Sequence, residues 1–305
     1  WLKLCHNVSG TMGFGGALTP RQCNVSLPGR RQRPRCAPPA YPLADLVFFL
    51  RNWDNVVGFI GFSTAYFIHF VSVVQCSLGV SGAIGEIGIA GGKSFAALAF
   101  TRRAEEQLVA CDLFRTGLEK DNVPDVNLPL FLDTLEFLRI PEDDVVILKQ
   151  SSLQLEDRDL VGLAAGRRRV MRRVGGFRLF HVDGGHYAEA ALHDINSAAC
   201  ALVPGGVVLV DDLHNMGWPG VQEGFHRYMI MEPRARDLVP FLYTGRLFLT
   251  TPGYASAYRG AILRAFPRLR TRTLYETEVI TAPAHLVDVT VQDFVNLMRK
   301  DQPQA

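Results

Sequence analysis

From residue 81 to residue 250 the chain alternates between short apolar runs and segments with helical periodicity. Five runs are candidate strands, at 83–88, 108–112, 144–148, 178–183 and 206–211. The segments between the first two and between the last two are predicted helices, and such alternation is typical of a parallel, doubly wound α/β sheet. Residues 238–242 and 246–250 predict an antiparallel closing pair, because a short turn separates them. We therefore expect a mostly parallel, seven-stranded sheet.

The composition fits a folded chain of one large domain or two small ones. Of 305 residues, 48% are hydrophobic and 20% are charged, which excludes disorder throughout, a collagen-like repeat and a disulfide-stapled miniprotein. The net charge is +2, but residues 1–44 carry six basic and no acidic side chains, so the remainder has 26 basic against 30 acidic residues. Nothing in this balance predicts a nucleic-acid partner.

Residues 1–42 hold six of the 17 prolines and show no apolar periodicity, so we predict a disordered leader that resembles a transit segment. A single domain is expected over 43–300, with N-terminal helices at 43–80, a core at 81–250 and an extension at 251–300. The protein is expected in the cytoplasm, or in an organelle if the leader is a transit segment. Cys76, Cys111 and Cys200 are predicted to be buried reduced thiols, which favours a reducing compartment.

No charged residue occurs between Asp54 and Glu86, a length that alone would suffice for a membrane span. However, His69, Ser72 and Gln75 recur every three residues and give a polar stripe to a helix at about 64–77. A helix packed in the protein core is therefore favoured over a membrane-spanning helix, and a membrane is not an expected partner.

A glycine-rich segment, Gly85 to Ser94, lies at a predicted strand-to-helix junction. It misses the phosphate-loop spacing by one residue, and it lacks the G-x-G-x-x-G of dinucleotide sites. What remains is Glu86-x-Gly88-x-x-x-Gly92, with Asp112 at the end of the next strand. An acid there can hold the ribose hydroxyls of an adenosyl ligand, and Glu86 can orient the loop or bind the amino-acid end. A plain glycine turn stays an alternative.

Acidic residues also follow the last two predicted core strands. Asp183 ends one strand, and Asp211 and Asp212 end the next, at the edge where open α/β sheets bind ligands. Three converging carboxylates would repel one another without a cation, and Mg²⁺ is favoured because it binds through a few carboxylates. His186 begins the following helix and is a candidate general base.

Taken together, residues 44–250 resemble class I S-adenosylmethionine-dependent methyltransferases, of a metal-dependent type similar to macrocin O-methyltransferases. The matching pieces, in order, are Asn52-Trp53-Asp54, Gly85 to Gly88, Gly92 to Phe95, Asp112-Leu113-Phe114, Ser152, Asp183 to His186, Pro204 to Asp212 and Trp218 to Val221. The resemblance implies a Rossmann-like fold and methyl transfer from S-adenosylmethionine to a hydroxyl of a small molecule, sugar or phenol-like. A divalent metal would activate the acceptor oxygen.

The resemblance also implies roles for individual residues. Its implied cofactor-binding residues are Glu86, Gly88, Gly92, Ser94, Asp112, Ser152 and Asp183. The implied metal ligands are Asp183, Asp211 and Asp212, the implied base is His186, and Trp218-Pro219-Gly220 would border the acceptor. Ser151 stands where the family often has Asp, and Ala90-Gly91 replaces bulkier residues. Two alternatives stay open, a catalytically degenerate relative and a phosphate-loop-like nucleotide enzyme, and a homo-oligomer is compatible with the sequence.

An arginine-rich segment comprises Arg167, Arg168, Arg169, Arg172, Arg173 and Arg178. We interpret it as a solvated surface balanced by nearby acids, in preference to a patch that attracts an acidic acceptor.

Overall fold

In the computed structural model of the protein, nine strands of the described chain form one mixed sheet. The structure describes residues 36–115, 127–165, 176–232, 237–284 and 287–301, which lie within the compact unit Arg33–Ala305. The strands are β1 (Ala83–Ile87), β2 (Leu108–Asp112), β3 (Val145–Lys149), β4 (Phe177–Val182), β5 (Leu202–Val210), β6 (Val239–Tyr243), β7 (Leu247–Thr250), β8 (Arg270–Leu274) and β9 (Thr277–Thr281).

The strand order is β3-β2-β1-β4-β5-β7-β6-β9-β8. Neighbouring strands from β3 to β5 are parallel, whereas β7 pairs antiparallel with both β5 and β6. The predicted parallel sheet with an antiparallel closing pair is thus confirmed, but the predicted number of seven strands is wrong. The hairpin of β8 and β9 extends the sheet, because β9 pairs in parallel with β6.

Helices cover both faces of this sheet. They are α1 (Leu43–Arg51), α2 (Phe62–Leu78), α3 (Lys93–Ala99), α4 (Leu128–Phe137), α5 (Asp157–Ala165), α6 (Ala188–Ala201), α7 (Pro219–Met231), α8 (Ala255–Ala265) and α9 (Val291–Asp301). One apolar core lies under α1 to α4, α8 and α9, and a second lies under α5, α6 and α7. The doubly wound architecture follows from these two cores.

The uncharged stretch before β1 forms α2, which packs inside the protein. His69 and Gln75 are fully buried, and the Gln75 side-chain amide donates to the carbonyl oxygen of Arg178 at 2.6 Å. Gln75 of the polar stripe therefore has a buried partner, as expected of a core helix. Within the described residues, no helix combines the length and the apolar character that crossing a membrane requires.

Arg178 contradicts the interpretation of the arginine-rich segment as a solvated surface. It lies on β4 with none of its surface exposed, and its Nε and Nη2 donate to the two carboxylate oxygens of Glu106 at 2.6 and 2.8 Å. Ser72 and Gln75 of α2 also accept from it. A buried charge needs such partners, which Glu106 and α2 supply. The other arginines of that segment lie outside the described residues.

The first described residues lie along the segment that follows α3. The backbone N–H of Ala40 donates to the carbonyl oxygen of Arg102 at 2.8 Å, and a disulfide joins Cys36 to Cys76 of α2. The prediction of a reduced Cys76 is therefore wrong, and Cys76 no longer supports a reducing compartment. Cys111 is a buried thiol, and burial raises its pKa to about 12. Residues 1–35 of the predicted leader lie outside the described residues.

Candidate functional site

The predicted acids gather where the parallel strands end. Glu86 lies near the end of β1, Asp112 ends β2, and Asp183 and Asp211 directly follow β4 and β5. Because β1 pairs with both β2 and β4, and β4 pairs with β5, these residues share one edge of the sheet. This is the edge at which open α/β sheets bind ligands.

The glycine loop after β1 packs directly against the Asp183 backbone. Gly88 has φ of +84°, and a Cβ built on it would lie 1.7 Å from the carbonyl oxygen of Asp183. Only glycine fits at this position, for reasons of both conformation and space. A Cβ on Gly91 would likewise lie 2.5 Å from the Cβ of Val57, so the small residues at 90–91 fit the neighbouring loop.

Asp112 holds the glycine loop in place through backbone hydrogen bonds. Its Oδ2 accepts from the N–H groups of Ile89 and Ala90 at 2.6 and 3.2 Å, and its Oδ1 accepts from that of Phe114 at 2.7 Å. The carboxylate therefore shapes the loop in addition to any contact with a ribose. The sequence alone does not indicate this second role.

The two predicted serines occupy different surroundings. Ser94 is buried in the first turn of α3, behind the loop. The hydroxyl of Ser152 donates to Oδ2 of Asp194 at 3.0 Å, and Asp194 lies on α6 with none of its surface exposed. Asp194 was not predicted as a site residue, because α6 also carries Glu189 and the sequence does not show which of the two acids is buried.

Lys93 does not extend from the loop as a phosphate-binding lysine would. Its ammonium group lies over the ring of Trp53, 5.4 Å from the ring centroid. Burial lowers the pKa of Lys93, while the charge of Asp54 opposes that shift. Lys93 could bind a phosphate only if this cation–π contact were broken. The contact therefore disfavours the nucleotide-enzyme alternative.

His186 lies between two of the predicted metal ligands. Its Nε2 is 3.3 Å from Oδ2 of Asp212 and 3.7 Å from Oδ1 of Asp183. The imidazole stacks on the indole of Trp218, with 4.4 Å between centroids and 29° between planes. About a quarter of each of the three polar side chains is exposed, so solvent and ligands can reach them. These three residues could together hold one metal ion.

Asp211 belongs to a second, more buried group. His181, Asp183 and Asp211 also offer ligand atoms close enough for one ion, so Asp183 is shared between two overlapping groups. The Asp211 carboxylate pairs with the guanidinium of Arg246, and its Oδ1 accepts from the N–H of Asp212 at 2.8 Å. Burial, followed by the charge of Asp183, raises the pKa of Asp211 to about 6 against the opposing effect of Arg246.

A buried hydrogen-bonded chain links Asp211 to the start of the glycine loop. Arg246 Nε donates to His181 Nε2 at 3.2 Å, and His181 Nδ1 lies 2.7 Å from Oε1 of Glu86. Burial lowers the pKa of His181, but the hydrogen bond and charge of Glu86 more than offset it, so the net shift is upward. The sequence indicates no role for His181 or Arg246, because the two residues are 65 positions apart and only the fold brings them into contact.

The residues of the site fit the cofactor and the metal ion that the resemblance implies. Glu86 Oε2 is buried and has no hydrogen-bond partner among the described residues, which favours a ligand that donates a hydrogen bond there. Asp183 and Asp212 offer partly exposed carboxylate oxygens beside an imidazole, a donor set suited to a hard divalent ion. The predicted metal set of Asp183, Asp211 and Asp212 is divided between the two overlapping groups, which share Asp183, and Asp211 is already paired to Arg246.

Residues 86–213 match a family model described as a methyltransferase domain. The match covers the glycine loop, Asp112 and all the acids of the two groups. It confirms the predicted resemblance to methyltransferases over this part of the chain. No curated protein sequence matches the chain.

Solved structures resemble the described fold at low sequence identity. An O-methyltransferase from Bacillus cereus, in complex with SAH, is 14% identical, with 68% of this chain and 90% of that chain covered and a TM-score of 0.44. TomG, an O-methyltransferase from Streptomyces achromogenes in complex with SAM, is 15% identical, with 69% and 89% covered and a TM-score of 0.42. MycE, a methyltransferase of the mycinamycin pathway in complex with Mg and SAH, is 18% identical, with 69% and 55% covered and a TM-score of 0.41.

Proposed function

We propose that this chain, which contains a methyltransferase domain at residues 86–213, transfers a methyl group from S-adenosylmethionine to a hydroxyl group of a small molecule. One observation carries the proposal. The glycine loop contacts the backbone of Asp183 at Gly88. A cofactor bound to that loop and a cation bound to the Asp183 carboxylate would therefore lie next to each other. Methyl donor and activated oxygen would then meet without a large movement of the protein.

The proposed cofactor site is the surface of the glycine loop. Its proposed residues are Glu86, Gly88, Gly92, Ser94, Asp112, Ser152 and Asp183. Glu86 would accept from the ammonium group of the methionine end, because its Oε2 is a buried acceptor without a donor among the described residues. Asp112 would keep the loop in shape while it faces the ribose.

The proposed metal ligands are Asp183 and Asp212, joined by Asp211 on the buried side. When bound, a divalent ion such as Mg²⁺ supplies Lewis-acid stabilisation of negative charge on an acceptor oxygen. The carboxylates would orient that oxygen toward the methyl donor. Arg246 would stabilise Asp211, the most buried of the three acids.

His186 is the proposed general base. Trp218 stacks on the imidazole and limits its rotation, and the ring nitrogen Nε2 lies among the acids that would hold the acceptor. A neutral imidazole is suited to take a proton near pH 7. His186 would therefore remove the hydroxyl proton as the oxygen bonds to the methyl carbon, while the bond from that carbon to the sulfonium sulfur breaks and S-adenosylhomocysteine leaves.

The acceptor would enter beside the loop that follows Asp212. Met216 in this loop is 83% exposed, and Phe59 before α2 is 70% exposed. The carbonyl oxygen of Phe59 contacts Arg246, which contacts Asp211, so Phe59 borders the carboxylate group. Such apolar side chains beside acids suit a sugar-like or phenol-like molecule that presents its hydroxyl inward.

The first experiment is calorimetric titration of S-adenosylmethionine and S-adenosylhomocysteine into the protein, with and without Mg²⁺. We expect micromolar binding of both, and loss of binding in Asp112→Ala, because the glycine loop would lose its two backbone hydrogen bonds to this carboxylate, from Ile89 and Ala90. The matched control is Asp133→Ala, at an exposed position on α4. Binding of ATP in place of both ligands would instead support the nucleotide-enzyme alternative.

Transfer itself is tested with a methyl-labelled donor and two acceptor probes, a catechol and a free hexose. Label on either acceptor, abolished in His186→Ala, would support the proposal. Cofactor binding without label on either probe would support the alternative of a degenerate relative and would argue against transfer to these two acceptor classes.

A further inference from the structure

Arg246 is a buried cation that the turn between β6 and β7 carries into the site. Only 7% of its surface is exposed. Its Nη2 contacts the carboxylate of Asp211 and the carbonyl oxygen of Phe59, and its Nε donates to Nε2 of His181 at 3.2 Å. Acceptors on three separate segments hold the planar guanidinium in one orientation.

The contact with Arg246 determines how His181 uses its two nitrogens. An arginine N–H can only donate, so Nε2 of His181 accepts in this arrangement. The ring proton then lies on Nδ1, which donates to Oε1 of Glu86 across 2.7 Å. Both side chains are essentially buried, with 1% of His181 and 1% of Glu86 exposed, so water does not compete for these bonds.

Glu86 is thereby left with one oxygen for a ligand. His181 uses Oε1, and Oε2 is buried without a hydrogen-bond partner among the described residues. A buried acceptor of this kind is satisfied only when a donor binds next to it. The orientation of that oxygen depends on His181, and the orientation of His181 depends on Arg246.

We propose that Arg246 is a positioning residue for cofactor binding, which acts through His181 to orient Glu86 toward the ammonium group of S-adenosylmethionine. The inference rests on the proposed function. It adds to the proposed site a residue from the turn between β6 and β7, outside residues 86–213. Asp211 and Phe59 hold the guanidinium through its Nη2. Cofactor affinity is therefore controlled from a turn that contributes nothing to the glycine loop.

The test compares two ligands that differ only at the amino-acid end. S-adenosylhomocysteine carries the ammonium group, and methylthioadenosine keeps the adenosine and the thioether but lacks it. In Arg246→Lys, whose side chain has no guanidinium fork, we expect the dissociation constant for S-adenosylhomocysteine to rise at least about tenfold. That for methylthioadenosine should stay within about twofold, because the nucleoside contacts do not involve Glu86. Calorimetry measures both.

Two further variants make the result specific. In the double variant of Glu86→Gln and Arg246→Lys, affinity should be no lower than in Glu86→Gln alone, because both changes act on the same contact. Arg259→Lys is the matched control, since Arg259 is on α8 and donates to the carbonyl oxygen of Glu278. Arg246→Gln repeats the test if the lysine variant does not fold.

Unchanged affinity for S-adenosylhomocysteine in a folded Arg246 variant would overturn the inference. An equal loss of affinity for both ligands would also overturn it, because that pattern indicates a general structural role. Failure of the unmodified protein to bind either ligand would overturn the proposed function as well, and so differs from failure of the inference alone.

Discussion

Gly88 and Asp183 are in such close contact that a methyl group added to Gly88 would collide with the Asp183 carbonyl oxygen, at 1.7 Å. Gly88→Ala should therefore displace the loop from the end of β4. We expect a loss of unfolding free energy of about 2 kcal/mol or more, from the combined clash and positive φ, and at least tenfold weaker binding of S-adenosylhomocysteine. Urea denaturation and calorimetry measure the two effects.

Gly253→Ala separates the clash from the backbone strain. Gly253 has φ of +90°, yet nothing lies within 4 Å of a Cβ built on it. This control should lose only about 1 kcal/mol and keep full ligand affinity. Equal behaviour of the two variants would show that the contact with Asp183 does not shape the site.

Metal binding should depend on the charge of Asp212. Its φ is +52°, a conformation that asparagine also tolerates, so Asp212→Asn removes the charge without adding backbone strain. We expect at least tenfold weaker binding of Mn²⁺, followed by electron paramagnetic resonance, with unfolding free energy changed by less than about 0.5 kcal/mol. Asp133→Asn on α4 is the control. Unaltered Mn²⁺ affinity in Asp212→Asn would remove this residue from the proposed ligand set.

The pair of Arg178 and Glu106 should contribute strongly to stability, because without Arg178 the buried Glu106 keeps, among the cations of the described residues, only the more distant Arg103, whose Nη1 is 3.7 Å from its Oε1. Arg178→Met is expected to cost about 3–5 kcal/mol in unfolding free energy. In the double variant with Glu106→Gln, the loss should be smaller than the sum of the two single losses. Arg139 and Asp45 form a pair with an exposed arginine, so Arg139→Met should cost less than about 1 kcal/mol. Additive losses at 178 and 106 would contradict this account.

His69 should make stability fall in mild acid. Burial, aided by the charge of Arg178, lowers the pKa of His69 to about 3 against the opposing Ala97 backbone. Below pH 6.5 the His69 imidazole is therefore protonated in the unfolded chain but stays neutral in the folded protein. The free energy of unfolding falls as the pH decreases from 6.5 toward 3. Between pH 6.5 and 5 the loss from this group is roughly 1.5 kcal/mol.

The variant His69→Phe lacks that titrating group and keeps an aromatic ring next to Phe294. Urea unfolding of both proteins should therefore give curves of stability against pH that diverge below pH 6.5 and run parallel above pH 8. Parallel curves over the whole range would show that His69 titrates normally.

The disulfide should hold residues 36–42 against the chain near Arg102. Cys36→Ser is expected to lower the unfolding free energy by about 2–4 kcal/mol, as a crosslink across 40 residues would. A reductant should destabilise the unmodified protein to the same extent and leave the variant unchanged. Cys200→Ser is the control for a change of thiol. No response of the unmodified protein to reductant would mean that the two cysteines are not joined.

The parallel strands could be predicted from the sequence because each is a buried apolar run with a helix or turn on either side. The predicted limits of β2 were correct, and those of β1, β3 and β4 differed by one residue at one or both ends. The hairpin of β8 and β9 was missed, because Arg270–Leu274 alternates charged and polar residues at an exposed sheet edge. Propensity without burial gives no clear strand pattern.

The acids of the site were predictable for a related reason. Asp112, Asp183 and Asp211 each follow an apolar run. A short stretch of sequence is therefore enough to place each of them at the end of a strand. His181 and Arg246 were not predictable in this way. A histidine within an apolar strand has the sequence pattern of a core residue, and an arginine after a turn has that of a surface residue. Their roles arise only from the pairing of β5 with β7, which brings distant segments together.

The position of Arg246 late in the chain also bears on how the site forms during synthesis. All the predicted acids have been made by residue 212, but Arg246 arrives only with the turn before β7. Long-range contacts of this kind form slowly, and a chain that ends before β7 would expose the open edge of β5. A fragment truncated at residue 240 would thus contain every predicted ligand and still lack the cation that orients His181. The ability to bind cofactor tightly would then require the part of the chain beyond residue 240.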